Sequence, residues 1–183
     1  MSTPAQQATS ALQAQLASGA LAGNWTLDPA RSTVTLRSKS MWGLAPVKGA
    51  FRQVSGRGTV SPAGQVSGRI EVGAASVDTG MAKRDNHLRS ADFFLSDKYP
   101  VITFDLDRIT VSGDGVTVAG TLTVRERSQP LAFPATAAVA GDGEVVLDGT
   151  VQVNRADFGL TWTQLGMASI HNTIAIHAVF TRG

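Results

Sequence analysis

Cysteine is absent from the 183 residues, which removes disulfide staples, thiol catalysis and the cysteine zinc sites in one step. Charge is also scarce: Asp, Glu, Lys and Arg make up 16% of the chain, the formal net charge is only +2, and the sixteen basic residues are scattered singly. Such a pattern leaves no electrostatic footprint for nucleic acid, and with 43% hydrophobic residues it is not the composition of a disordered chain. No apolar run approaches the length that crosses a bilayer, so any lipid contact would be a peripheral, transient contact with a membrane or would be with extracted molecules. The first basic side chain is Arg31, so residues 1–23 lack the basic start of a secretory signal, and a cytoplasmic protein is expected if Met1 is the true start. Catalytic patterns are missing too. There is no glycine-x-serine-x-glycine elbow, phosphate loop or helical zinc-protease motif, and three histidines with two on one segment are too few for a metal centre. A non-enzymatic protein without required cofactor or metal is expected.

What remains is mostly alternation. Residues 1–23 form a separate helical or flexible segment, with Thr3 as N-cap, Pro4 at the first helical position, Gly19 as a stop and a narrow stripe of Ala5, Ala8, Leu12 and Leu16; it could dock or contact a second copy in a homodimer. From residue 24 the period becomes two. Val34 and Leu36, Ile102 to Leu106, Val116 to Val124, Val145 to Val153 and Ile174 to Phe180 each put apolar residues on one face of a strand. Turn signals at 61–64, 112–115 and 141–143 join antiparallel neighbours. With Trp25 and the segments 47–51 and 131–133, roughly eight strands result, enough to close a barrel, although a two-sheet sandwich would use the in-strand glycines equally well.

The segment 78–92 interrupts this pattern. "MAKRDNHLRS" reads as a short helix over about 79–92, capped by Asp78 or Thr79, with Asp85 and Arg89 paired across its exposed face. It would lie over one mouth and carry Phe93, Phe94 and Leu95 inward. Around it, "SVDTGMAKRDNHLRSADFFLSDKYPVITF" (76–104) resembles the central signature of the YceI-like family. Supporting stretches are "WTLDPARSTVTL" (25–36), "VKGAF" (47–51), "VAGTLTVRERSQPLAF" (118–133) and "VNRADFGL" (153–160). Ser40 and Glu126 depart from residues common in the family. The resemblance implies an all-β chain over 24–183: an extended, lipocalin-like antiparallel barrel whose apolar lumen holds a polyisoprenoid, such as a quinone or polyprenyl phosphate, for storage, sequestration or transport.

Phe104, Leu106, Leu122, Phe133, Leu147, Ile174 and Ile176, with Phe51 and the aromatic pair Phe93 and Phe94, are the expected lumen residues. On residues alone they could equally fill a solid core, leaving an interaction scaffold. Met41, Trp42, Trp162, Leu165 and Met167 stand in looser segments and suit a barrel mouth that adapts to a flexible apolar guest. His87 is expected in a polar cluster with Arg84, Asp85 and Arg89 or, alternatively, against a ligand head group; His87, Arg84 and Asp85 would serve as acid or base in an enzyme acting on such a lipid. Asp105 and Asp107 are placed on the solvated outer face.

Overall fold

The computed structural model describes residues 1–141 and 143–183. The turn expected at 141–143 includes Asp142, which lies outside the described residues. Two helices, α1 (Pro4–Ala17) and α2 (Ala82–Arg89), accompany β1 (Gly23–Leu27), β2 (Thr33–Ser40), β3 (Ala45–Phe51), β4 (Val54–Val60), β5 (Val66–Gly73) and the two-residue β6 (Val77–Asp78). Five longer strands follow: β7 (Val101–Ser112), β8 (Gly115–Val124), β9 (Arg127–Ala140), β10 (Glu144–Asn154) and β11 (His171–Arg182). No described helix is long and apolar enough to cross a membrane.

These segments close a barrel of eight strand paths. β1 and β2 are one path bent at 28–32, and both pair with the same edge of β11, Trp25 opposite Arg182 and Val34 opposite Ile176. β3 and β4 are a second path, bent at 52–53, pairing with β2 and β1 respectively. The ring then runs through β5, β7, β8, β9 and β10 back to β11, every neighbour antiparallel. Closure pairs both edges of most strands, although residues 127–134 of β9 pair with β8 alone.

Side-chain direction follows the two-residue period until a bulge in β7. The pairing with β8 slips between Leu106 and Arg108, so Asp107 is the extra residue. Phe104 and Leu106 face inward before it, and Ile109 and Val111 afterwards; all four pack against the core. Asp105 is on the outside, as expected, bonded to Arg69. Asp107 is also exposed, but as the bulged residue.

Helix α1 crosses the lower opening. Thr3 and Gln6 form a reciprocal capping box, and Pro4 opens the helix. Its buried residues are Thr9 and Leu12, and Leu12 belongs to the same core as Trp25, Val118 and Phe133. Ala5, expected in the apolar stripe, is exposed. The helix leans on β7, β8 and β9 at one side, and its C-terminal end sits on the β4–β5 turn, where a Cβ on Gly64 would fall 2.7 Å from the Leu16 carbonyl oxygen.

Candidate lipid-binding site

The upper half of the barrel encloses a cavity of about 580 Å³, a size in the usual ligand-pocket range of roughly 300–1,000 Å³. The interior is therefore not filled by side chains. Its wall comes from β2, β3, β5, β7, β8, β9, β10 and β11, and its roof from α2 and the chain on either side of Phe158. Of the residues expected there, Phe51, His87, Phe93, Phe94, Phe104, Leu122, Phe133, Trp162, Met167, Ile174 and Ile176 line it.

Leu106 and Leu147 line a smaller space of about 110 Å³ nearer α1. Met41, Trp42 and Leu165 line neither and are 52%, 67% and 94% exposed. All three stand on left-handed backbone, with φ +51°, +52° and +60°. Trp42 instead lies against the neighbouring loop, its Nε1 donating to the Leu165 carbonyl at 3.3 Å. Leu95, with φ +45°, likewise does not reach the lumen.

The roof is held by polar bonds that differ from those expected. Asp85 does not pair with Arg89. Its carboxylate is buried and accepts from the Thr79 backbone N–H at 2.9 Å and the Thr79 hydroxyl at 2.6 Å, which ties the start of α2 to the chain before it. Met81, rather than Asp78 or Thr79, is the N-cap, without a side-chain bond. Arg89 reaches back to the carbonyls of Ala75 and Val77 at 2.8 and 3.2 Å, fastening the other end. These long-range partners outcompete the solvent-exposed ion pair because a buried acceptor gains more from a fixed donor than an exposed one does.

His87 also leaves the expected cluster. Its Nε2 lies 2.8 Å from Asp92, and its ring stands edge-on to Phe93 and Trp162, with centroids at 5.1 and 4.4 Å. Phe93 and Trp162 meet at 5.5 Å, completing an aromatic corner over the lumen. Phe94 stacks at a tilt on Phe51 at 5.9 Å.

Arg155 closes the opposite side of the roof and was not foreseen as a site residue. Its side chain is buried, lies over the Phe93 ring at 5.1 Å, and donates to four carbonyls, those of Leu160, Trp162, Ala168 and Ser169. Burial pushes its guanidinium below its ordinary value, and no carboxylate bridges to it among the described residues. Lys39, Lys83 and Arg84 add further cations to the lining, which holds no Asp or Glu. Ser40, one of the two departures, lines the cavity; Glu126, the other, does not. Val72, Leu131 and Val153, which line the cavity without being among the expected lumen residues, obey the same strand parity as those that were. No group of three metal-ligating side chains occurs among the described residues.

The fold is a closed antiparallel barrel with an apolar-walled cavity in its upper half. The YceI-like domain model matches residues 25–181, and the chain belongs to that family. Protein YceI of Escherichia coli is 31% identical over 128 residues, covering 66% of each chain, and a UPF0312 protein of Staphylococcus aureus is 29% identical over 151 residues, 77% of this chain and 84% of that one. A UPF0312 protein of Pseudomonas aeruginosa is 32% identical over 106 residues; the chain spans 55% of that relative's length. Among solved structures, Burkholderia cenocepacia BcnA superposes with a TM-score of 0.75 at 26% identity, over 84% of this chain and 98% of that one. A polyisoprenoid binding domain from Saccharophagus degradans gives 0.71 at 16% identity, over 87% and 98%, a likeness of fold.

Proposed function

We propose that this protein binds an isoprenoid lipid, with the tail in the upper lumen and the head at the mouth roofed by α2. The observation that carries the reading is a hollow, apolar upper barrel of about 580 Å³ walled by strand residues and roofed by Phe93, Phe94 and Trp162. The fold likeness to a polyisoprenoid binding domain supports the choice of guest.

At about 30 Å³ per methylene-sized group, the share of one water in the liquid, the cavity takes about nineteen such groups, or roughly four isoprenoid units. Each unit leaving water gains about 3 kcal/mol, somewhat under five methylene increments because two of its carbons are unsaturated. Four units give roughly 12 kcal/mol, and about 4 kcal/mol or more is lost to association, leaving affinity near the micromolar range. Shape and dryness carry the binding. At the mouth, Lys39, Lys83 and Arg84 offer donors to a head rich in acceptor oxygens, whether quinone carbonyls or a phosphate. Storage, sequestration or transport of the lipid fits such a site, since nothing in it needs to react.

Solvent extraction of protein purified from its native source, followed by mass spectrometry, tests this. One apolar molecule per chain is expected. An empty extract, together with no uptake of prenols offered to the purified protein, would refute it.

A further inference from the structure

We infer that the interior carries its own limit on tail length: the paired rings of Phe104 and Phe133, backed by α1, end the usable tunnel after roughly four isoprenoid units. This rests on the lumen being an isoprenoid site. The upper cavity and the 110 Å³ lower space share only the wall residues Ile70, Phe104, Phe133 and Ile176. The ring centroids of Phe104 and Phe133 are 5.9 Å apart, within the range of about 4.5–7 Å for rings in direct contact, so no hydrocarbon passes between them as they stand.

Two glycines hold the rings in place. A Cβ on Gly149 would come within 2.8 Å of the Phe133 ring, and one on Gly120 within 2.8 Å of the Phe104 ring. Both glycines occupy inward positions of their strands, so each ring is seated in space that any other residue would fill. Below the rings, Leu12 and Leu16 of α1 join Leu21 and Trp25 to line the lower space. Fourteen residues at about 1.5 Å each make α1 about 21 Å long, enough to reach across the opening of a small barrel. The Trp25 indole donates to the Leu21 carbonyl at 3.0 Å, and Arg182 donates to the Ala20 carbonyl, which pins the chain leaving the helix. Helix α1 precedes residues 25–181 that match the family model, so the plug lies outside the shared domain.

A tail therefore enters at the α2 end and stops at the rings. The lower space would add about four methylene-sized groups, or roughly one more unit, once a ring moved aside.

The test measures equilibrium affinity for all-trans prenols of two to eight units, each corrected for its partitioning into detergent so that the reference state is water. The unmodified protein is expected to gain about tenfold or more per unit up to four units, and less than about twofold per unit beyond. Phe133→Ala, which joins the two spaces, should move that break outward by one to two units, and Phe133→Leu by less. Gly149→Ala, which pushes the ring into the lumen, should move it inward. If Phe133→Ala fails to unfold cooperatively, the other two variants decide. A rise continuing to eight units in the unmodified protein overturns the limit while leaving the lumen reading intact. A break that no folded variant shifts overturns the assignment to the rings. No binding of any prenol overturns the lumen reading and the limit with it.

Discussion

Replacing Arg155 with Met should destabilise the protein by about 3–5 kcal/mol, because the substitution keeps the apolar stem and removes only the guanidinium. Four carbonyls lose their donor: Leu160 in a buried position, and Trp162, Ala168 and Ser169 in partly buried ones. An orphaned buried acceptor costs about 1–3 kcal/mol, and the three that water can approach cost roughly 0.5–1 kcal/mol each. The guanidinium's own desolvation is relieved, which keeps the sum from being larger. For a domain of this length, about 2–4 °C per kcal/mol gives a fall in Tm of roughly 6–20 °C. Urea unfolding should show a lower midpoint with an unchanged slope. Arg155→Lys should recover less than half, since a single ammonium cannot reach carbonyls on both sides of the fork. A loss under about 1 kcal/mol, or a lysine variant as stable as the parent, would refute the view that this one side chain ties down the loop carrying Trp162 and Met167.

Asp85→Ala should cost about 1–3 kcal/mol by leaving the Thr79 N–H and hydroxyl without their acceptor, and should speed ligand release more than it slows uptake; stopped-flow rates would show this. Of the three tryptophans, only Trp162 lines the upper lumen, so filling it should change the emission of the parent and leave Trp162→Phe nearly silent. Arg31 donates to Glu144 and holds its carboxyl below the usual range, and the Gly80 N–H, then Arg52, do the same for Asp78. Folded values below the unfolded ones mean that the stabilisation is complete above the ordinary carboxylate range near pH 4 and is lost as pH falls through the depressed values. Melting scans below about pH 5 should therefore fall more steeply for the parent than for Glu144→Gln; equal slopes would contradict the pairing.

Much of the barrel was legible along the chain. The two-residue alternation of β7, β8, β10 and β11 marked the inward residues, and the turn signals set antiparallel order. The bulge at Asp107 was not legible, because an extra residue in a strand shows only when the partner's register is known. It shifted Ile109 and Val111 into the core. Large apolar side chains in loops also misled. Met41, Trp42 and Leu165 look like mouth residues by type, yet they are exposed and line neither space.

The amino-acid order by itself determined most strand faces, the start of α1 at Thr3 and Pro4, and the family signature, since each depends on neighbours a few positions away. Closure decided the rest. Whether inward faces mesh or stand apart depends on how many strands complete the ring and how they lean, and here they leave space above Phe104 and Phe133 and little below. The partners of Asp85, His87 and Arg155 were likewise set by tertiary structure, because a buried polar group takes whichever donor or acceptor the fold brings within reach.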